Sequence, residues 1–329
     1  MTDERKVRVA MIGAGHLSTR FHYPSLRSMP DVDLVAVADL VPERARAAAQ
    51  RFGIPQTYTD FRKMLAEADP EVVYLVMPPQ YLFEPACEVL DQGRNLFVEK
   101  PLGLTTWQAR ALAHRAEARA CLTAVGFQRR FAPALTELRR RLDQRGPVHH
   151  ITVSFLKCLP SERPAAEYGG VIDLFTADGI HAADLLRFLG GEVRGVTAVV
   201  RNHCHPGPFP DSVTALVCFS SGAVGVWRSD YGTGRRVFQA ELHGRGATAH
   251  FDPDGDCLFV ADNGPAEVRP SRSFGPADAP DSRPELWLGF WNQARHFIDC
   301  VRGRTLPHNH FGDAVRSMEL VERVLRASE

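Results

Sequence analysis

The sequence lacks an excess of charge, a long apolar run and paired cysteines. Among its 329 residues, 39 basic and 39 acidic side chains cancel, so no basic surface of the kind that binds nucleic acid is expected. No stretch reaches the roughly 18 consecutive apolar residues that a membrane-spanning helix requires. The seven cysteines are scattered without a Cys-x-x-Cys pair, and the first residues contain no signal-peptide core, a usage typical of reduced cytoplasmic proteins. We therefore expect a cytoplasmic protein without nucleic-acid or membrane partners.

An apolar strand near the N terminus leads into a glycine-rich loop. Residues 7–12 are almost continuously apolar, as in a parallel strand covered on both faces, and residues 13–18 read Gly-Ala-Gly-His-Leu-Ser. Gly13 permits a tight turn, Gly15 lets a pyrophosphate approach the backbone, and Ser18 is small enough for close packing of the following helix. This pattern predicts a dinucleotide site. The predicted contacts in the loop are Gly13, Gly15, His16, Leu17 and Ser18.

The second predicted strand ends in an acid. Residues 34–38 are apolar, and Asp39 follows 21 positions after Ser18. A carboxylate at this point accepts hydrogen bonds from the ribose hydroxyls of NAD and repels the 2′-phosphate of NADP. We therefore predict NAD as the cofactor. NADP stays an alternative because Arg44 can accommodate a phosphate.

Strands and helices alternate as far as Gly126, with Asp60 as the expected cap of one short helix, and strands dominate afterwards. The alternation is typical of a doubly wound parallel sheet. The later strands, between residues 148 and 260, indicate a largely antiparallel sheet with one open face. Residues 264–284 read as a loop, and two helices, about 286–302 and 311–328, close the chain. We predict an α/β protein with a Rossmann domain over residues 1–126 and a second α/β domain over residues 127–329.

A short buried strand ends at Glu99-Lys100-Pro101. Pro101 cannot donate to a sheet ladder, so Lys100 is expected where a parallel strand meets its loop, at the edge where open α/β sheets bind ligands. A lysine ammonium readily changes its protonation state when it is buried. Lys100 is therefore a candidate proton donor or acceptor.

Together these motifs resemble the glucose–fructose oxidoreductase, inositol dehydrogenase and rhizopine-catabolism family (Gfo/Idh/MocA). Further matching segments are Met77-Pro78-Pro79, residues 126–131 (Gly-Phe-Gln-Arg-Arg-Phe), residues 181–186 (His-Ala-Ala-Asp-Leu-Leu), residues 241–246 and residues 311–314. The resemblance spans nearly the whole chain. It implies a Rossmann domain followed by an α/β domain whose open sheet commonly forms the oligomer interface, and hence a homodimer or homotetramer.

The resemblance also implies the proton-handling residues. In the family, the lysine of the Glu-Lys-Pro motif and a histidine of the second domain flank the carbon that exchanges hydride, which assigns these roles to Lys100 and His181. The Lys100–Pro101 bond is expected to be cis on the same grounds. Without the family match, His181 reads as a hydrogen-bonded core histidine. Residues 179–189 are predicted to be helical, which puts His181 in a first turn that favours a neutral imidazole.

The sequence departs from the family pattern just before His181. Family members that oxidise polyols often carry an aspartate four residues before this histidine, where Ala177 stands, whereas Asp178 lies three residues before it. Asp178 either takes over a substrate or lysine contact or is the N-cap of the helix. Leu82 is a second departure, at a position where a histidine is common. The two departures put a simple inositol-type oxidation in doubt.

The remaining candidate contacts complete the predicted site. Outside the glycine-rich loop, the predicted cofactor contacts are Asp39, Met77, Pro78, Glu99 and Lys100. The predicted substrate contacts are Lys100, Arg129, Tyr168, Asp178 and His181, of which Lys100, Asp178 and His181 are also the catalytic candidates. No metal site is predicted, because the imidazoles of His203-Cys204-His205 lack evident third and fourth ligands.

The leading functional interpretation is an NAD(P)-dependent dehydrogenase or reductase of a sugar, cyclitol or related small alcohol or carbonyl compound. The resemblance leaves two alternatives. One is an NAD-dependent glycosidase that oxidises its substrate transiently, and the other is a non-catalytic dinucleotide-binding regulator. Loss of the lysine would favour the regulator, and Lys100 is present.

Overall fold

A six-stranded parallel sheet organises the first of the two units into which the chain divides. The computed structural model describes residues 5–159, 170–204, 209–276 and 283–327. The sheet has the order β3-β2-β1-β4-β5-β6, so the strand order reverses between β1 and β4. Ligands bind at the carboxyl edge beside such a reversal. The strands are β1 (Val7–Ile12), β2 (Val32–Ala38), β3 (Gln56–Tyr58), β4 (Val72–Leu75), β5 (Asn95–Val98) and β6 (Thr123–Val125).

Helices connect these strands, as the doubly wound pattern predicted. A π-helical turn, Ser18–His22, runs into α1 (Tyr23–Arg27). The next helices are α2 (Pro42–Phe52), α3 (Phe61–Ala68), α4 (Phe83–Asp91) and α5 (Thr106–Ala118). The N-cap predicted at Asp60 is confirmed, since its carboxylate accepts the Arg62 N–H at 2.9 Å.

A mixed, mostly antiparallel sheet of eight strands organises the second unit, in the order β14-β13-β12-β11-β7-β10-β9-β8. Strands β7 and β10 pair in parallel at its centre. The strands are β7 (His150–Cys158), β8 (Val193–Arg201), β9 (Ser212–Phe219), β10 (Val224–Asp230), β11 (Gly232–Gly244), β12 (Ala247–Phe251), β13 (Asp256–Ala261) and β14 (Glu267–Pro270).

Helices cover one face of this sheet. Helix α6 (Pro133–Asp143) packs against β11 and β12, and α7 (Ile180–Gly190) packs against β7 and β10. Burial therefore alternates along β9, where Val217 is buried and Leu216 is 47% exposed. The open face expected from the sequence is confirmed.

Two further helices close the described chain, α8 (Phe290–Gly303) and α9 (Phe311–Arg326). Phe297 and Ile298 of α8 belong to the hydrophobic core that also contains Val9 and Met11 of β1. The contacts group Pro284–Leu286 and Phe290–Val315 with the first unit, whereas the sequence predicted that the second domain runs unbroken over residues 127–329. Among the described residues, none of the helices combines the length and the hydropathy of a membrane span.

Two predicted boundaries are wrong. Strand β14 lies inside the predicted loop 264–284 as an edge strand, and an edge strand tolerates the terminal Pro270. The helix expected from residue 179 begins earlier, because a π-helical turn, Phe175–Gly179, leads directly into α7. His181, the second residue of α7, is therefore preceded by a helical turn and does not lie at the start of the continuous helix.

Candidate functional site

The glycine-rich loop at the end of β1 has the shape that a dinucleotide requires. Gly13 has a φ of +104°, and a Cβ there would lie 2.0 Å from the Val76 carbonyl oxygen, so only glycine fits. A Cβ at Gly15 would meet no described atom within 4 Å, so the space beside this backbone is open. These residues fit a bound pyrophosphate, which needs backbone that it can approach closely.

The start of the helix is tied back to the loop. Ser18 is fully buried, and its hydroxyl donates to the Gly15 carbonyl at 3.0 Å. The Thr19 N–H donates to the same carbonyl at 3.0 Å. His16 is exposed and Leu17 is half-buried, so both lie where a ligand of the loop can reach them.

Asp39 is held by backbone amides on two sides. Its Oδ2 accepts the Ala14 N–H at 2.8 Å, and its Oδ1 accepts the Val41 N–H at 2.8 Å. The carboxylate is thereby fixed between the glycine-rich loop and the start of α2. Met77 and Pro78 follow β4, the strand beside β1. Met77 is half-buried and Pro78 is exposed. The structure thus brings the predicted cofactor contacts of β1, β2 and β4 to one edge of the sheet.

A buried acid precedes Lys100 at the end of β5. Glu99 is 6% exposed, and its Oε1 lies 2.8 Å from Nε2 of His22, which is 2% exposed. Its Oε2 accepts the Lys100 N–H at 3.2 Å. A Cβ on Gly126 would come within 2.7 Å of the Glu99 carboxylate, so this position requires glycine. Glu99 therefore fixes the backbone of Lys100, whose own side chain is partly exposed.

The Lys100–Pro101 peptide bond is cis, as the family resemblance implied. His22 was not anticipated from the sequence as part of this arrangement. It lies in the π-helical turn after the glycine-rich loop, and such turns occur frequently at functional sites. The signal that could have revealed it is a histidine within an otherwise buried helix face.

In the second unit, Asp178 forms an ion pair with Lys157 and does not cap a helix. The Lys157 ammonium contacts Oδ2 of Asp178, and both side chains are mostly buried. The residue whose carboxylate accepts helix-starting amides is Asp173, which receives the Phe175 and Thr176 N–H groups at 2.9 and 2.8 Å. The N-cap alternative for Asp178 is therefore wrong. Lys157 itself was not anticipated, because it lies at the end of a regular strand.

Two phenylalanines form the floor of this polar region. The Phe155 ring lies 5.0 Å below the Lys157 ammonium, and its centroid is 6.4 Å from that of His181, which is 9% exposed. Phe155 also packs edge-on against Phe238, with centroids 5.2 Å apart. The structure thus brings His181 and the Lys157–Asp178 pair to a shared aromatic surface.

Arg129 lies on the same floor, with its guanidinium 4.8 Å from the Phe238 centroid. The residue is 8% exposed, and its Nε and Nη1 are buried without a hydrogen-bond partner among the described residues. Burial lowers the pKa of Arg129 to about 10, against the opposing field of nearby carboxylates such as Asp254. We call Arg129, Lys157, Asp178, Arg236 and Asp254 the Arg129 cluster.

Arg130 has the opposite surroundings. Its Nε donates to Oδ2 of Asp184 at 2.7 Å, its Nη2 contacts Oδ1, and the Ser317 hydroxyl donates to Oδ1 at 2.7 Å. The Ser317 hydroxyl in turn accepts from Arg187 Nε at 3.1 Å. We call Arg130, Asp184, Arg187 and Ser317 the Arg130 cluster.

The other residues singled out from the sequence have no observed part in these clusters. Tyr168 and His205 lie outside the described residues. The His203 and Cys204 amides donate to the buried Asp211 carboxylate at 2.8 and 2.7 Å, and no group of three metal-binding side chains occurs in the described part of the chain. Leu82 is fully buried.

Two models of one oxidoreductase family match the chain, and one of them covers the glycine-rich loop, Asp39 and Lys100. Residues 7–127 match a family model described as an oxidoreductase family with an NAD-binding Rossmann fold. Residues 137–250 match the model of the GFO/IDH/MocA C-terminal domain. The NAD-binding Rossmann fold expected for the first unit is thus confirmed.

Full-length relatives extend these matches. The chain is 26% identical over 327 residues to scyllo-inositol 2-dehydrogenase (NAD(+)) of Bacillus subtilis, covering 96% of this chain and 92% of the relative. A solved structure of GenD2 from gentamicin A biosynthesis, in complex with NAD, has a TM-score of 0.78 at 28% identity, covering 98% of this chain and 94% of the other. A dehydrogenase of Chromobacterium violaceum shares the fold, with a TM-score of 0.86 at 22% identity over 98% of this chain and 96% of the other.

Proposed function

We propose that this chain, which belongs to the GFO/IDH/MocA family of NAD-binding oxidoreductases, is a dehydrogenase of sugar-like substrates like the relatives it resembles. We further propose that Lys100 and His181 handle the proton of its reaction. The observation that carries this proposal is the buried His22–Glu99 pair, which fixes the backbone of Lys100 at the carboxyl edge of the sheet. A buried polar pair of this kind is costly unless each group is satisfied, so its presence beside Lys100 supports a positioning role.

The chemistry requires two transfers. Oxidation of a secondary alcohol moves a hydride from carbon to the nicotinamide, which is the contribution of the bound cofactor. The hydroxyl proton leaves to a base, and both the Lys100 amine and the His181 imidazole are groups that can accept it. In the direction of reduction the same groups return the proton to the carbonyl oxygen. We propose Lys100 as the group in contact with the reacting oxygen and His181 as its partner in proton transfer.

Asp39 supports a preference for NAD over NADP. Its two oxygens are held by the amides of Ala14 and Val41, so its negative charge stays beside the glycine-rich loop. A 2′-phosphate would meet this charge, whereas ribose hydroxyls can donate to the remaining lone pairs. We propose that Asp39 contacts the adenosine ribose.

The Lys157–Asp178 pair supports a substrate-binding role for Asp178. An ammonium and a carboxylate fixed next to each other offer both donors and acceptors, which suits the hydroxyl groups of a sugar or cyclitol. Asp178 also lies three residues before His181, and the helix continues through both. We propose that Asp178 binds a substrate hydroxyl rather than a backbone amide.

We also propose that the open face of the eight-stranded sheet joins two copies of the chain. Val199 of β8 and Leu216 of β9 are 52% and 47% exposed on adjacent strands, and apolar side chains on a solvated sheet face favour association. Light scattering tests this, with a dimer or tetramer expected for the wild type and a smaller species for Leu216→Glu. A monomeric wild-type protein would contradict the proposal.

A cofactor-reduction screen tests the function itself. The protein is incubated with NAD⁺ or NADP⁺ and with sugars, cyclitols and amino sugars, and reduced cofactor is followed by its absorbance. We expect reduction of NAD⁺ by at least one of these compounds. Cleavage of a glycoside without net cofactor reduction would instead indicate the glycosidase, and cofactor binding without turnover of any compound would indicate a regulator.

A further inference from the structure

Two exposed cysteines of the second unit, Cys158 and Cys204, meet at one place on the eight-stranded sheet. Cys158 is the last residue of β7, and its partner on the antiparallel strand β11 is Gly232. A Cβ at Gly232 would lie 2.4 Å from the Cys204 Sγ and 2.9 Å from the Cys204 Cβ. The Cys204 side chain therefore fills the space that a side chain of residue 232 would take, and becomes the cross-strand neighbour of Cys158.

The strand pairing at this point brings side chains close together. The Leu159 N–H donates to the Tyr231 carbonyl at 3.0 Å, so these two residues form a hydrogen-bonded pair of the ladder. The two kinds of pair alternate along an antiparallel ladder, which makes Cys158 and Gly232 the kind whose side chains approach more closely. Cβ atoms across a pair are about 4.5–5.5 Å apart, and a disulfide requires about 3.5–4.5 Å. A small movement of the Cys204 side chain is therefore enough to bond the two sulfurs.

The buried residue Asp211 holds the backbone of Cys204 at this place. Its carboxylate accepts the His203 and Cys204 N–H groups at 2.8 and 2.7 Å. Its carbonyl accepts the N–H of Tyr231, the residue before Gly232, at 2.9 Å. One residue thus ties the Cys204 backbone to the start of β11, so the backbone, and not only a side-chain rotamer, keeps Cys204 beside Gly232.

Exposure favours these two thiols as reactive groups. The attacking form in thiol–disulfide exchange is the thiolate, and it must be accessible to the small disulfide. Cys158 and Cys204 are both exposed. Burial raises the pKa of the thiols of three other cysteines and makes them poorer nucleophiles, namely Cys121, Cys257 and Cys300.

We propose that Cys158 and Cys204 are a redox-sensitive thiol pair, which a low-molecular-weight disulfide such as glutathione disulfide converts into a disulfide within the chain. One thiolate attacks the small disulfide and releases a small thiol. The other thiolate then attacks the mixed disulfide and releases a second small thiol. The protein is oxidised by the loss of two hydrogen atoms, while one small disulfide is reduced to two thiols.

The bond would act on the Lys157–Asp178 pair. Lys157 directly precedes Cys158, and its ammonium contacts Asp178. Successive side chains of a strand point to opposite faces, so drawing Cys158 towards Cys204 shifts Lys157 relative to Asp178. We expect the oxidised protein to have a higher KM. This consequence rests on the proposed function, whereas formation of the disulfide does not.

Thiol counting and intact mass test the pair without a substrate. The full-length protein is incubated with glutathione disulfide, and its free thiols are counted after denaturation. We expect two fewer thiols than the seven of the reduced chain, a single-chain mass that has lost two hydrogen atoms, a linked Cys158–Cys204 peptide in the digest, and reversal by dithiothreitol. A lasting mixed disulfide with glutathione, a bond between two copies of the chain, or an unchanged thiol count would overturn the proposal.

Three serine variants locate the bond. Cys158→Ser and Cys204→Ser should each abolish it. Cys218→Ser is the matched control, because Cys218 is exposed on β9 of the same sheet but has Gly195 and Val224 as its cross-strand partners. Cys218→Ser should form the disulfide as the wild type does, and its failure to do so would contradict the pairing of Cys158 with Cys204.

Gly232→Ala tests the geometry with both thiols in place. Its methyl group would lie 2.4 Å from the Cys204 Sγ, so the Cys204 side chain must move. We expect glutathione disulfide to oxidise the pair severalfold more slowly in this variant than in the wild type. Oxidation at the wild-type rate would contradict the arrangement of Cys204 over Gly232.

Turnover tests the consequence for the site. With the substrate that the cofactor-reduction screen identifies, the oxidised wild type should have a severalfold higher KM than the reduced form, and Cys204→Ser should keep one KM under both conditions. An equal KM of the two wild-type forms would overturn the effect on substrate binding. If no compound reduces NAD⁺, the proposed reaction fails together with this effect, while the thiol count still decides whether the pair exists.

Discussion

Arg129 and Arg130 are consecutive and almost equally buried, at 8% and 4% exposure, but their clusters differ in how the charge is compensated. The Arg130 guanidinium meets both oxygens of Asp184, and Ser317 and Arg187 extend the network. The Arg129 guanidinium lies on Phe238 with two nitrogens unpartnered among the described residues. Within the described ranges, the first arrangement has its hydrogen bonds made, whereas the second leaves two guanidinium nitrogens without an acceptor.

This contrast separates buried charges that serve the fold from those that serve a ligand. A buried ion pair whose hydrogen bonds are all made is destabilising to break, because the surviving partner is left without compensation. A buried charge without a hydrogen-bond partner costs stability, and native proteins tolerate such exceptions mainly at functional sites. We therefore expect the Arg130 cluster to hold the second unit together and the Arg129 cluster to bind substrate.

The largest expected effect is on stability, in the Arg130 cluster. Arg130→Met leaves the Asp184 carboxylate buried and uncompensated, and should lower the free energy of unfolding by about 3–5 kcal/mol. Urea denaturation of Arg130→Met beside Arg129→Met measures the contrast directly. The double variant Arg130→Met/Asp184→Leu should recover much of the loss, because it removes both charges. Equal stability of the two single variants would show that the two arginines do not differ in this way.

The next effect is on turnover, at His181. Helix α7 carries His181 and, one turn later, Asp184, and the His181 ring faces the Phe155 surface beside the Arg129 cluster. His181→Ala should lower kcat roughly 10²-fold, the scale of a lost proton-transfer group, with a much smaller loss of stability than Arg130→Met. A fully active His181→Ala enzyme would remove the histidine from the mechanism.

A smaller effect is expected at Asp178. Asp178→Asn keeps the shape of the side chain and loses the charge that pairs with Lys157, so it should raise KM about tenfold with little change in melting temperature. The control is Asp173→Ala, which removes the observed helix cap and should cost about 1 kcal/mol of stability while leaving KM nearly unchanged. The reverse pattern in the two variants would contradict a substrate contact for Asp178.

The smallest effect concerns cofactor choice at Asp39, a carboxylate whose observed partners are backbone amides rather than a cation. The wild type should bind NADH more tightly than NADPH. Asp39→Ala should bring the NADPH and NADH dissociation constants closer together, because the repulsion of the 2′-phosphate is lost. Titration with both reduced cofactors measures it. Tighter binding of NADPH to the wild type would show that Arg44 or another cation governs the choice.

The sequence was sufficient where function depends on local chain geometry. A strand, a short loop and a helix that are adjacent in sequence predicted three features of the cofactor site. These are the turn at Gly13, the open backbone at Gly15 and the acid after β2. The cis bond between Lys100 and Pro101 was predicted from the family resemblance, not from the local sequence pattern.

The sequence was insufficient where function depends on distant partners. The sequence does not distinguish the adjacent residues Arg129 and Arg130. Only the structure shows that Asp184, 54 positions from Arg130, pairs with Arg130. The sequence did not predict the helical turn before α7, because a glycine such as Gly179 commonly marks a helix end. In the structure Gly179 instead leaves space for Phe175 and Tyr231, each of which has an atom 3.2 Å from where a Cβ would lie. The sequence did not predict strand β14, because its proline and polar residues are typical of a loop, although an edge strand tolerates them.

The rate of NADH formation by Lys100→Met beside the wild type, with the substrate that the cofactor-reduction screen identifies, is the decisive measurement for the proposed reaction. We predict a fall in kcat of about 10²-fold or more, while calorimetry finds the NADH dissociation constant within about twofold of the wild type, because the cofactor is held mainly by the glycine-rich loop and Asp39. A Lys100→Met enzyme that turns over at close to the wild-type rate would contradict the assignment of Lys100 to proton transfer.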